Sequence, residues 1–273
     1  MQRRRAKELT YRDIQIETRG AVEIVTLDRP EALNALSEGL VAELGDYVFG
    51  LKRRPEIRVV ILRGNGRGFC AGLDIKENRT PTDETPMQRA WRVQTQLGDV
   101  MKAMRQVPQP FIALGHGSAC GGGFSLMLAS DVRIGAPSLR MNAAYIKIGL
   151  GGADIGSSYF LPRLVGASLA AELLLTGRFI HADRALRLGL LSDVVEEDTL
   201  LETGFALAGE MIANAPYGLA LTKQALNLNI DAPSIDAAFA LEDRQQVMLT
   251  QTDDHREAMT AFVEKRPPVY HGR

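Results

Sequence analysis

Three consecutive glycines, Gly121, Gly122 and Gly123, stand where a buried apolar run turns into a helix. The segment reads PFIALGHGSACGGGFSLMLA over residues 110–129. Glycine weakens a helix start through backbone entropy, by about 1 kcal/mol each relative to alanine. Three together at an apolar helix entrance need a physical reason. The one that fits best is close approach of bare backbone N–H groups to a negative charge, at the positive end of a helix dipole. A chain built this way makes a phosphate cradle or an oxyanion hole.

A second glycine-rich turn, GNGRGFCAGLDI over residues 64–75, follows the apolar run at 59–62. The triple glycine likewise follows an apolar run, at 111–114. Neither turn has the G-x-G-x-x-G spacing of a dinucleotide site or the G-K-[ST] ending of a P-loop. An oxyanion hole therefore fits better than a phosphate cradle. Two N–H groups from separate turns can converge on one oxygen, and losing one such donor costs about 10²–10³ in rate. Taken singly, each turn equally fits a tight turn in a compact core.

The first half of the chain alternates short strands with helices. Periodicity predicts strands at 14–18, 22–27, 59–62, 111–114 and 131–134. Ser37 is placed to cap a helix running to about residue 54, and a second helix is expected over 87–105. Residues 76–86 are polar and read as a mobile loop. Beyond the loop at 149–156 the chain turns helical, with helices expected at 167–175, 182–188, 200–213, 217–228, 235–250 and 255–265. The reading is a flexible tail over 1–11, an α/β core over 12–200 and a C-terminal helical region over 201–273 that packs on neighbouring subunits.

Composition narrows the class. With 273 residues and 45% hydrophobic content, the chain buries a core without disulfide staples. A net charge of -1 points away from nucleic acid and anionic membranes as main partners. Cys70 and Cys120 lie in apolar, glycine-rich surroundings and read as reduced thiols of a cytoplasmic protein. No apolar run reaches the roughly 18 residues of a membrane span. Met1-Gln-Arg-Arg-Arg is basic but has no apolar segment behind it, so it is not read as a secretory signal. No His/Cys/Asp cluster has metal-ligand spacing.

The sequence resembles the crotonase superfamily, that is, the enoyl-CoA hydratase/isomerase family. The resemblance runs in order through residues 28–36 (DRPEALNAL), 68–75 (GFCAGLDI), 116–123 (HGSACGGG), 157–166, 174–178, 185–192 and 261–266. It implies an α/β spiral of ββα units, a C-terminal helical region that builds trimers or dimers of trimers, and a coenzyme A thioester as substrate, with no separate cofactor. It puts the two oxyanion-hole N–H groups on Leu73 and Gly122. Coenzyme A would lie against Glu31, Ala32 and Leu33 and against the turn carrying Ala71, Asp74 and Ile75. Phe262 and Lys265 would reach the ligand of an adjacent subunit.

The resemblance also exposes a departure. Hydratases of the family carry a glutamate two residues after the triple glycine and another about twenty residues later, flanking the α and β carbons. Here Ser125 and Tyr145 occupy those places. Neither supplies a carboxylate, and a tyrosine with pKa about 10 is protonated at neutral pH. One acid remains in reach, Asp154, at the position where some single-acid isomerases of the superfamily carry theirs. It reads either as the proton shuttle of an enoyl-CoA isomerase or as the N-cap of the helix starting near Gly156. An atypical hydratase and a non-catalytic acyl-CoA-binding protein are the alternatives. His116 is read as a packed, hydrogen-bonded residue, and Met127 and Met141 as lining core or acyl pocket. Met87 and Trp91 are placed to cap an acyl tail or to pack their helix. Arg89 and Arg92 are read as a solvated face.

Overall fold

The computed structural model describes residues 11–76 and 83–273. Residues 1–10 of the expected tail and 77–82 of the expected loop lie outside the described residues.

Strands β1 (Ile14–Arg19) and β2 (Val22–Leu27) form an antiparallel hairpin that turns at Gly20. β2 then pairs in parallel with β3 (Val59–Gly64), β3 with β4 (Phe111–Gly115), β4 with β6 (Val132–Gly135), and β6 with β9 (Asp193–Val194). Both faces of this six-stranded sheet are covered, which is why β3 reads as an unbroken apolar run. Its alternate residues serve two cores: Val60 and Leu62 pack into one, Val59 and Ile61 into the other.

A smaller sheet joins β5 (Ser118–Cys120), β7 (Arg140–Asn142) and β8 (Ile180–His181). The ββα repeat follows from how the units divide. β4 enters the large sheet, β5 the small one, and α3 (Gly122–Ala129) follows; β6, β7 and α4 (Ser157–Val165) repeat the pattern. In the preceding unit β3 is followed by Cys70, which bridges Ala119 of β5, and then by α2 (Pro86–Gln106). The three-residue strands β5 and β7, and the two-residue β8 and β9, are elements that periodicity did not predict; they are too short for a period of two to register.

The first core lies under α1 (Glu38–Gly50), α2, α3 and α5 (Ala167–Thr176). Ser37 caps α1 as expected, its hydroxyl accepting from the Leu40 N–H at 3.0 Å; the helix gives way to a 3-10 turn at Leu51–Arg53. The short α6 (Ala182–Arg187) follows β8. The second core lies under α7 (Leu200–Ile212), whose Leu200 and Ala208 are buried with Ile24, Ile61 and Ile112. α7, just past the expected boundary at residue 200, thus covers the second face of the sheet. α7 belongs to the core because its apolar face closes the second sheet face. Helices α8 (Pro216–Asn229), α9 (Ile235–Leu249) and α10 (Asp253–Glu264) follow. Among the described residues no helix is long and apolar enough to cross a membrane.

Candidate active site

The two glycine-rich turns meet at the point where the small sheet gives way to α3. Cys70 N donates to Ser118 O and Cys120 N donates back to Cys70 O, at 3.0 and 2.9 Å. Gly72 has φ +95°, and a Cβ there would stand 2.7 Å from the Cys120 carbonyl oxygen. A Cβ on Gly123 would stand 2.2 Å from the Cys70 carbonyl oxygen. No side chain fits at either place, so these glycines exist to let two backbones touch.

The same contact leaves two donors over. Leu73 sits on an isolated bridge to Leu36 whose bonds are made by Leu36 N and Asp74 N. Gly122 is the first residue of α3, where N–H groups have no intrahelical acceptor. Among the described residues, neither the Leu73 N–H nor the Gly122 N–H has a protein acceptor. Both residues line one cavity of about 160 Å³, together with Ala71, Ile75, Tyr145 and Asp154. A larger cavity of about 530 Å³ adjoins it between α1 and α2, sharing Leu36, Leu73, Gln94, Leu97 and Leu150 as walls.

Among the described residues Asp154 is the one carboxylate on the smaller cavity. Its Oδ1 accepts from the Ile155 N–H at 2.8 Å and from the Gln94 side-chain amide. Its Oδ2 has no protein partner among the described residues. The N-cap position of α4 is Gly156, and no side chain caps that helix. Asp154 therefore does not act as its cap, the second of the two readings. The segment is held instead by Ser157, whose Oγ accepts from Asp154 N at 3.0 Å. Gln94 went unnoticed in the sequence. Its signal was a lone amide on the apolar stripe of α2, at helical spacing from Ala90, Leu97 and Met101.

Ser125 and Tyr145 lie behind the glycines, with Ser125 Oγ and Tyr145 OH 3.3 Å apart. Burial is the main cause that raises the Tyr145 pKa above that of a free phenol, so the hydroxyl stays protonated.

The loop at 29–34 is clamped to the first glycine-rich turn. Asn34 Nδ2 donates to the carbonyls of Asn65, Gly68 and Phe69, and the Leu33 carbonyl accepts from Ala71 N at 3.0 Å. Glu31, Ala32 and Leu33 are thereby brought beside Ala71. Asp74 is turned inward, accepting from Arg29 Nη2 at 2.9 Å, while Ile75 is exposed on the cavity wall. Phe262 and Lys265 are not brought to this place: they stand exposed at the end of α10 and line neither cavity.

His116 is packed as expected, its Nε2 2.8 Å from the Gly66 carbonyl oxygen, and Met127 and Met141 are in the core. Met87 and Trp91 are exposed at 76% and 71%, so helix packing does not account for them. Arg89 and Arg92 do not form a solvated face. Both reach across to Glu38 at the start of α1, at 2.8 and 3.1 Å, because Glu38 and the arginines face each other across the α1–α2 seam. No three His, Cys, Asp or Glu side chains come together for a metal among the described residues.

A sequence profile described as enoyl-CoA hydratase/isomerase matches residues 17–273. The chain belongs to this family. It is 38% identical to the "Probable enoyl-CoA hydratase echA12" of Mycobacterium leprae, over 92% of this chain and 87% of that protein. It is 34% identical to the 1,2-epoxyphenylacetyl-CoA isomerase of Escherichia coli K12, over 91% and 94%. A crystal structure of enoyl-CoA hydratase from Bacillus anthracis superposes with a TM-score of 0.90 at 32% identity, covering 96% of this chain and 100% of that one. The fold is thus the crotonase-type α/β fold, and the protein is an enzyme of the hydratase/isomerase family. The relatives carry names of both kinds, so the reaction turns on the residues of this site.

Proposed function

We propose that this enzyme moves a proton on an unsaturated coenzyme A thioester through an enolate, with Asp154 as its only acid/base. The Leu73 and Gly122 N–H groups hold the thioester oxygen. Asp154 takes a proton from carbon 2, the enolate charge rests on the two donors, and the same carboxyl returns the proton to carbon 4. The double bond moves from carbons 3–4 to carbons 2–3.

The observation that carries this reading is the state of Asp154. Among the described residues it is the single carboxylate on a cavity that also presents two unpaired N–H groups, with one oxygen held by two donors and the other open. Syn hydration asks for a second carboxylate to position water, and Ser125 and Tyr145 are neutral hydroxyls. That counts against hydration as the main activity. Coenzyme A enters as part of the substrate. Its nucleotide would lie against Glu31, Ala32, Leu33, Ala71 and Ile75, and against the backbone of Asp74, whose carboxylate Arg29 holds. Phe262 and Lys265 would complete the site of an adjacent subunit in a homotrimer or dimer of trimers, which the exposed Phe239, Val247, Met259 and Val263 of α9 and α10 support.

The test is spectroscopic. A 3-enoyl-CoA mixed with the enzyme should gain the absorbance of the conjugated thioester, and Asp154→Asn should lower that rate by about 10³ or more with unchanged folding. A variant that keeps its rate would overturn the role of Asp154.

A further inference from the structure

A third cavity, of about 150 Å³, lies among the C-terminal ends of α2, α3 and α8 and the body of α4. Its walls share no residue with the two cavities of the candidate active site. The guanidinium groups of Arg105, Arg133 and Arg163 stand on it, and among the described residues Asp131 is the one carboxylate that lines it.

That carboxylate is already engaged. Asp131 Oδ1 accepts from Arg105 Nη1 at 3.0 Å, and Oδ2 accepts from Lys223 Nζ at 2.9 Å and from the Phe111 N–H at 2.8 Å. Arg163 is paired with Asp231, which accepts from its Nη2 at 2.6 Å. Arg133 has no such partner. It is only 6% exposed, and its bonds go to backbone: Nε donates to the Leu190 carbonyl at 2.8 Å and Nη1 to the Ser130 carbonyl at 2.6 Å. Its Nη2 has no protein partner among the described residues. With the other two nitrogens spent on carbonyls, Nη2 is what Arg133 offers to the cavity it lines. A buried charge without a bonded counter-charge is costly. Burial, and after it the neighbouring Arg105, lower the Arg133 pKa, as expected of a cation short of compensation.

We propose that this cavity binds a short-chain monocarboxylate, its head on Arg133 Nη2 and its tail against Leu128, Phe160, Leu164 and Ile230. The buried cation calls for an anion, and the donors and walls set its class. A phosphate carries several oxygens and asks for several donors. The Nη atoms of Arg105 are bonded to Asp131 and Asn227, and those of Arg163 to Asp231 and the Tyr159 carbonyl. One unpartnered guanidinium nitrogen suits a carboxylate head, through a charge-assisted bond. The apolar walls suit a hydrocarbon tail. A cavity of about 150 Å³ takes a molecule of about benzene's size, and butyrate is in that range. This site does not depend on the reaction proposed for Asp154.

The experiment is calorimetric titration of the full-length protein with sodium butyrate and, separately, with inorganic phosphate at fixed ionic strength. It compares the wild type with Arg133→Gln, which removes the charge, and with Ile230→Trp, which narrows a cavity wall that is itself half-exposed. Butyrate should bind the wild type about tenfold or more tightly than phosphate, and each variant should weaken butyrate about tenfold or more. Phosphate binding as tightly as butyrate overturns the monocarboxylate. Butyrate affinity that survives in either folded variant puts the ligand elsewhere and overturns the site. Absence of butyrate binding to the wild type overturns it too, and leaves Arg133 as a tie between Ser130 and Leu190. Should Arg133→Gln fail to fold, Ile230→Trp decides by itself.

Discussion

At position 123 one carbon atom decides whether the two glycine-rich turns can meet. A Cβ there stands 2.2 Å from the Cys70 carbonyl oxygen, a backbone atom that cannot swing aside. Gly123→Ala should destabilise the protein by about 3 kcal/mol or more, read as a lowered urea midpoint; an unchanged midpoint would show that the turns have room to part. Cys70 lies on the other side of this contact, and burial pushes its thiol up to about 12. A pKa raised above the usual value of about 8.5 keeps the proton on sulfur, so at pH about 8 the folded protein holds almost no thiolate there. A thiol reagent should therefore leave Cys70 untouched in the native state and modify both Cys70 and Cys120 in urea. Prompt labelling of native Cys70 would contradict its burial. Residue by residue, the site was legible where chemistry is local. The two glycine-rich turns announce themselves through their own glycines, whereas Leu73 and Gly122 as donors come from the family resemblance. Gln94 and Ser157 were not legible, because their partner Asp154 is 60 residues away from one and is reached through its backbone N–H by the other.

Elements with a strong period were legible for the same physical reason that they are stable. β3 reads as a continuous apolar run because both of its faces are buried, and α1 announces its start through Ser37. β8 and β9 are only two residues each and are ordered by their neighbours in the sheets, so nothing in their own composition marks them. What α7 packs against was not legible for a different reason: an amphipathic stripe says that a helix has a face to bury, not what covers it. α2 carries Gln94 to Asp154 and walls both cavities. Gly98 lies inside it with nothing within 4 Å of the place a Cβ would take. Gly98→Ala should stabilise the protein by about 0.5–1 kcal/mol, measured by chemical denaturation. A loss of stability would mean that α2 needs the flexibility of glycine at this point.

For the whole molecule, the six-stranded sheet and its two cores form a scaffold whose one rim carries both glycine-rich turns. The far end is less complete. Phe262 and Val263 of α10 are exposed at 81% and 76%. Sedimentation equilibrium should give a mass about three or six times 29.8 kDa, and Phe262→Asp should shift it downward; a wild-type monomer at micromolar concentration would remove the proposed role of Phe262 and Lys265. The central claim is that one carboxylate and two N–H groups make an enzyme of proton transfer rather than of water addition. Its most direct measurement is the absorbance of the conjugated thioester, followed with a 3-enoyl-CoA and with crotonyl-CoA under the same conditions. The account predicts that absorbance rises with the first at least about 100 times faster than it falls with the second. A fall with crotonyl-CoA as fast as the rise with the 3-enoyl-CoA would contradict it.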